Sequence, residues 1–429
     1  MRSIEWRDGD IVIIDQTVLP GRLEYRTLTD TDQIVEAIRS LRVRGAPALG
    51  IIGGLGVAQA ARRPSAANAK VLLERAEQAA EALAATRPTA VNLGWGIKRV
   101  LAKGRAIPVT AGSLRIAQTM LDEALAIQSE DEEACAAMAK HAQEFFEPKG
   151  VVLTHCNTGF LCTGGIGTAL GAIRVAHEAG LGPVVLATET RPLLQGARLT
   201  AWELSKLGIP HALVVDGAAP GLIARGEVSL VVVGADRIAA NGDVANKVGT
   251  YPLALAASAA GIPFVVVAPT STVDVSLAEG KGIPVEERAP GEVTSIGSHS
   301  IAPVGTQAIN PAFDITPASL ITAIVTERGV ARAPFGPALR QMADGGRARR
   351  APERPAVTPA RAQAAAPRPK PKPVKAKPRA GAKRAGSSSR KRVTTPKRSK
   401  AAKRTAAPKR AGASKRKAKP APKRRARRR

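Results

Sequence analysis

The hydrophobic period changes along this chain. Over residues 3–30, short apolar runs such as Ile11-Val12-Ile13-Ile14 alternate with mixed ones such as Leu23-Glu24-Tyr25-Arg26, which predicts a small antiparallel meander. Thr31-Asp32 then caps a helix whose Ile34, Ile38 and Leu41 fall on one face. Residues 46–61 and 66–86 are rich in Ala and Leu and read as helices, and 112–146 holds one or two more. From Gly150 the pattern switches to short aliphatic runs at 151–154, 183–188, 211–215, 228–233, 263–267 and 321–325, separated by helical stretches. That alternation predicts βαβ units in a doubly wound, Rossmann-like parallel sheet, an α/β fold. The expected organisation is a mostly helical N-terminal domain with a small meander over 1–125, a connecting helix over 126–149, the parallel-sheet domain over 150–343 and a tail over 344–429.

Composition divides the chain at the same place. The net charge of +29 comes from the tail: from Gly345 onward there are 33 Lys and Arg against one acid, Glu353. The remainder holds 31 basic and 34 acidic residues, an ordinary globular balance. The tail is built mainly of Ala, Pro, Lys, Arg, Ser and Gly, which bury too little apolar surface to fold, so disorder is expected there. A dense polycation releases counterions from phosphates, so non-specific nucleic acid or another polyanion is the expected partner. The tail carries no Phe, Tyr or Trp, and base stacking can add no selectivity. Three cysteines, Cys135, Cys156 and Cys162, form no disulfide framework and suit a reducing cytoplasm. The start, Met1-Arg2-Ser3-Ile4-Glu5-Trp6, lacks an apolar leader, and no run approaches the roughly 20 apolar residues of a membrane span. A soluble, cytoplasmic protein is expected.

The chemistry-bearing residues gather just past the strand ends: His155-Cys156, Glu189-Thr190-Arg191, Asp216, Gly234-Ala235-Asp236 and Ala268-Pro269. In an open parallel sheet the carboxyl edge forms the ligand crevice. The commonest fate of a free cysteine is burial as a small apolar residue, which suits Cys135 in its Ala-rich helix. Cys156 differs, because it ends a strand between His155 and Asn157 and precedes the glycine-rich turn Gly159…Gly167. Asp236 could cap a turn, yet Arg237, Asn241, Asp243, Asn246 and Lys247 crowd behind it more densely than a turn requires. A carboxyl between apolar walls has a raised pKa, as a general acid near neutral pH requires. Arg44-Gly45-Ala46-Pro47 enters a helix and could cradle a phosphate, while Arg87 and Gln195 are ambiguous alone. No P-loop, zinc spacing or serine elbow is present, and Leu170 stands where a dinucleotide fingerprint needs its third glycine.

Seven stretches in register resemble the methylthioribose-1-phosphate isomerase family: residues 14–20, 44–48, 154–159, 189–198, 234–238, 246–250 and 310–314. The likeness runs from residue 1 to about 335 and leaves the basic tail outside it. It implies an aldose–ketose isomerase of methionine salvage, a cytoplasmic homodimer that needs no metal or organic cofactor. It places the catalytic pair on Cys156 and Asp236. Substrate contacts fall on Arg44, Gly45, Ala46, Arg87, Gln195, Asn246 and Lys247. The fold also resembles ribose-1,5-bisphosphate isomerase and the regulatory subunits of the translation-initiation guanine-nucleotide exchange factor. The latter bind without isomerase chemistry, and a paired thiol and acid would have no work there.

Overall fold

A computed structural model describes residues 1–62, 68–87 and 89–345; the expected tail lies outside the described residues. The meander forms as three antiparallel strands, β1 (Ile4–Arg7), β2 (Asp10–Ile14) and β3 (Tyr25–Leu28). Helices α1 (Thr31–Arg39), α2 (Ala46–Arg62), α3 (Ala69–Ala84), α4 (Val91–Ala106) and α5 (Ser113–His141) follow. Two details depart from expectation. The cap of α1 is Asp30, whose side chain accepts from Gln33 N, and Leu41 lies beyond the helix with a φ of 62°. The helix α4 escapes the periodicity altogether, because Gly94, Gly96 and Gly104 interrupt its apolar face. Those glycines serve packing: a Cβ on Gly96 would overlap the Gly50 carbonyl of α2, so backbone approaches backbone there.

The core of this helical layer runs from Ile4 through Ile34, Leu55 and Val100 to Ile127. The long helix α5 continues past it, and its Ala134, Cys135 and Met138 pack into a second core under the parallel sheet. Thus one helix is shared by both layers.

The sheet segment contains β4 (Val151–Thr154), α6 (Ala169–Glu178), β5 (Val184–Thr188), α7 (Ala201–Leu207), β6 (His211–Val214), α8 (Ala219–Ala224) and β7 (Leu230–Val233). Then come β8 (Arg237–Ala239), β9 (Val244–Lys247), α9 (Thr250–Ala260), β10 (Phe264–Val267), β11 (Val273–Asp274), α10 (Gly291–Thr294), β12 (Ser295–Ile296) and β13 (His299–Ser300). The described residues close with β14 (Phe313–Thr316), β15 (Ala323–Thr326), β16 (Gly329–Ala331) and α11 (Phe335–Ala343). All six expected runs are strands of one sheet, in the order β16-β15-β10-β7-β4-β5-β6, parallel except at β16. The chain winds outward from β4 through β5 to β6, then returns to β7 and winds the other way. Neighbouring β4 and β7 therefore flank the switch point, where the loops diverge and leave a crevice.

A four-stranded sheet, ordered β11-β8-β9-β14, was not expected. The polar stretch behind Asp236 reads as a loop but folds as the β8–β9 hairpin. Its turn carries Gly242 at a φ of 95° between Asn241 and Asp243, a turn signal masked by the surrounding polarity. Among the described residues, no helix is long and apolar enough to cross a membrane.

Candidate active site

Cys156 follows the end of β4 with a φ of 63°, a left-handed conformation costly for any residue with a side chain. Such strain persists only where neighbours fix it, and it clusters at functional sites. Here Cys156 N donates to Thr190 Oγ1 at 2.9 Å, and Thr200 Oγ1 donates to Cys156 O at 2.5 Å. Asp216 holds the Thr190 loop, accepting from Thr190 N and Arg191 N at 2.7 and 2.6 Å. His155 is buried beside the thiol with both ring nitrogens occupied, by Thr188 Oγ1 at 2.6 Å and Val248 O at 2.9 Å. It supports the loop and leaves no ring nitrogen for proton transfer. Across the switch point, Asp236 follows β7, its N–H donating to Ala245 O at 2.9 Å and tying it to the hairpin.

Cys156 and Asp236 open onto one pocket, whose space is about 760 Å³ with its mouth included. Arg44, Gly45, Ala46, Arg87, Gln195, Asn246 and Lys247 line the same pocket, so the geometry gathers all nine residues singled out in the sequence. The seven around Cys156 and Asp236 arrive from four directions: the turn before α2, the stretch after α3, the segment before α7, and β9. Gly45 is needed at its φ of 100°, and a Cβ there would collide with Cys162, which also lines the wall. Arg44 is 8% exposed and holds Gln16 Oε1 by its Nε at 3.0 Å. Lys247 Nζ donates to Ala312 O at 2.8 Å and stands 5.2 Å from the centre of the Phe313 ring. The Gln195 Oε1 and Arg87 Nε atoms are buried without a protein partner, and both belong to lining residues. Buried polar atoms of that kind call for a ligand or water.

Burial raises the Asp236 carboxyl above its ordinary range, against the opposing pull of Lys247, Arg87 and Arg44. Burial also raises the Cys156 thiol, with Arg44 and Lys247 pulling it down and Asp236 pushing it up. Lys247 is lowered by burial, with Cys156 and Asp236 opposing. The site therefore combines a carboxyl and a thiol that burial biases toward their protonated forms with basic side chains facing a cavity. That set suits an anion beside a centre of proton transfer.

Some expectations do not meet here. Arg237 turns away to Thr89 O and Asp274, while Asn241 and Asp243 hold the hairpin turn and the backbone of Gly280 and Ala318. Cys135 is buried in its helix. Arg288 and Asn157 are among the lining residues that the sequence left unassigned. Arg288 sits in the irregular stretch before α10, paired with Glu286 at 2.9 Å and Glu292 at 2.6 Å, where no period announces it. Glu286 also pairs with Arg87 at 2.9 Å, linking two cations of the wall. Asn157 beside Cys156 could have been found, since a polar residue in that tight turn needs partners. Among the described residues, no group of three or more His, Cys, Asp or Glu is placed to hold a metal ion.

The sheet and the pocket at its switch point define a doubly wound α/β protein with a crevice at the carboxyl edge that Arg44, Arg87 and Lys247 line. Its residues 42–333 match the initiation factor 2 subunit family, and the chain belongs to that family. A methylthioribose-1-phosphate isomerase of Pelotomaculum thermopropionicum is 51% identical over 345 residues, covering 80% of this chain and 94% of its own. The solved 5-methylthioribose 1-phosphate isomerase of Pyrococcus horikoshii is 41% identical with a TM-score of 0.74, over 80% of this chain and 96% of that one. A structure described as translation initiation factor eIF-2B, subunit delta, from A. fulgidus is also 41% identical, with a TM-score of 0.72 over 80% and 99%.

Proposed function

We propose that the chain is an aldose–ketose isomerase that converts 5-methylthioribose 1-phosphate to 5-methylthioribulose 1-phosphate. One observation carries the reading: Cys156 and Asp236, from neighbouring strands, face one buried pocket among Arg44, Arg87 and Lys247. The name borne by relatives at about half identity supports it. Structural likeness alone does not separate the reading from that of an initiation-factor subunit, since both neighbours are equally identical to this chain. The paired acid and thiol favour the enzyme.

The anomeric oxygen of this substrate carries the phosphate, so the ring cannot open to a free aldehyde. The C1–O4 bond must break with a proton delivered to the ring oxygen. Asp236, biased toward its neutral form by burial, donates it. Hydrogen then moves from C2 to C1, and the C2 hydroxyl becomes the ketone by giving its proton to the Asp236 carboxylate, which restores the acid. In one route Cys156, having first released its proton to solvent and held as thiolate by Arg44 and Lys247, takes the C2 proton and returns it to C1 through an enol phosphate. In the other a hydride shifts directly, and Cys156 stabilises the charge that develops. Arg44, Arg87 and Lys247 hold the phosphate by charge-assisted hydrogen bonds. A bound dianion offsets the cations that lower Asp236, so substrate itself pushes the acid further toward its neutral form. Leu41, Pro47, Leu193 and Phe313 give the pocket an apolar side for the methylthio group.

The deciding experiment offers the purified chain 5-methylthioribose 1-phosphate and ribose 1,5-bisphosphate and follows the ketose products. Turnover of the first at a tenth or less of the second would transfer the assignment to the bisphosphate. No turnover of either would leave a binding protein. For the tail, 33 basic residues against one acid favour a separate polyanion-binding role, with double-stranded DNA as the probe.

A further inference from the structure

One buried carboxylate beside the site has no part in the chemistry above. Glu203, on α7, is buried, and no ion pair reaches it among the described residues. Its Oε1 accepts from Asn157 Nδ2 at 2.8 Å and from Leu161 N at 3.4 Å, and its Oε2 accepts from Phe160 N at 2.9 Å. Gly159 makes the room, since a Cβ there would overlap the carboxylate. On the far side of the amide, Asn157 Oδ1 accepts from Arg44 Nη2, and Asn157 O accepts from Nη1 at 3.0 Å. Gln16, itself tied to Leu161 O at 2.7 Å, takes the remaining Arg44 nitrogen. Each guanidinium nitrogen of Arg44 thus has an anchor, and two of the three anchors belong to Asn157.

A carboxylate only accepts hydrogen bonds, whereas an amide both donates and accepts. Facing an ionised Glu203, Asn157 must turn Nδ2 toward it, which leaves Oδ1 for Arg44. Had the amide the opposite orientation, NH₂ would face guanidinium and two donors would repel. Glu203 therefore sets the polarity of the relay. We propose that Glu203 is a positioning residue of the phosphate site, fixing the Asn157 amide and through it the Arg44 guanidinium. The inference rests on the reading of Arg44 as a phosphate ligand. Burial pushes the Glu203 carboxyl up to about 7, opposed by Asn157, the Phe160 and Leu161 N–H groups and Arg44. At pH 8 it is ionised, so the test belongs there.

Glu203→Gln removes the acceptor-only character at nearly constant shape. Its new amide can donate to Asn157 Oδ1, which turns Nδ2 onto Arg44. Loss of the negative charge alone would tighten anion binding, so a fall in affinity reads orientation rather than charge. The full chain is titrated with inorganic phosphate by calorimetry, with Arg44→Gln as the reference for phosphate held elsewhere. Affinity should fall roughly ten-fold in E203Q, the scale of one charge-assisted hydrogen bond, and KM for the sugar phosphate should rise as much with kcat within about three-fold. The double variant E203Q/N157D exchanges amide and carboxylate and restores an acceptor to Arg44. It should return to within about three-fold of the parent, a rescue that simple space filling does not give. Unchanged phosphate affinity in folded E203Q, or a folded double variant no tighter than the single one, overturns the relay. If E203Q fails to fold by circular dichroism, the double variant decides alone. Phosphate binding is read without turnover, so an inactive parent would sink the isomerase reading and leave this test intact.

Discussion

At the residue scale the proposed chemistry needs a protonated carboxyl with a thiol close by. Asp236→Asn keeps the shape and removes the transferable proton. We expect kcat to fall at least ~1,000-fold while inorganic phosphate competes within about three-fold of its usual strength, measured by steady-state kinetics and phosphate inhibition. Retained turnover would dismiss Asp236 as the acid. The pH dependence follows from the direction of the shift. A group needed in its protonated form is fully active below its folded pKa and loses activity as pH rises through it. Because burial raises Asp236, that loss should fall above the ordinary carboxylate range near ~3.9. A kcat profile that instead climbs with pH across the carboxylate range would refute the acid role. Substrate deuterated at C2 separates the two routes. Full retention in a single turnover in water points to the hydride shift, and washout points to Cys156 as base.

At the element scale, the site needs α2 and α4 to stand close, because the turn entering α2 carries Arg44, Gly45 and Ala46. Gly96→Ala sets two effects against each other. Helix propensity favours alanine by about 1 kcal/mol, while an added Cβ meets the Gly50 carbonyl and must force the helices apart. Backbone cannot yield as a side chain can, so we expect a net loss of about 2 kcal/mol in urea unfolding. Equal or higher stability would show that the pair can slide. This helix also shows the limit of periodicity. Its glycines are paired with a partner distant in sequence, and nothing local distinguishes a glycine for packing from one for turning. The β8–β9 hairpin was hidden for a similar reason: polar residues that hold a turn and polar residues that hold a ligand look alike until the chain folds.

At the scale of the whole molecule, several buried acids make stability depend on pH. Asp131 on α5 accepts from Gly164 N at 2.6 Å, and burial raises its carboxyl to about 6. A folded pKa above the unfolded one means stability is complete below about 4 and is lost as pH rises through about 6. Asp131→Asn keeps the acceptor for Gly164 and removes the ionisation. The variant should match the parent near pH 4 and exceed it by about 1–2 kcal/mol at pH 8, after allowance for partial exposure. Glu203 and Asp314 titrate in the same window, so the difference between the two proteins is the quantity to measure. No difference at either pH would mean that Asp131 is better solvated than its surroundings indicate. For the polycationic segment, truncation after residue 344 should leave isomerase turnover within two-fold (roughly 0.4 kcal/mol) and abolish salt-sensitive retention on DNA. Retention equally strong without it would end the polyanion reading.

The amino-acid order alone determined the six strands, their alternation with helices and the clustering of polar residues past their ends, because period and apolar content are local properties. It also singled out Cys156 and Asp236, since each follows an aliphatic run that must be buried. Only the tertiary structure decided that β4 and β7 are neighbours, which is what brings the two groups to one pocket. It alone supplied Arg288 from an irregular segment, the partnership of Gly96 with Gly50, and the Glu203–Asn157–Arg44 chain. Each of these depends on contacts between segments far apart in the chain, where burial and hydrogen-bond polarity are set by neighbours that no local pattern encodes.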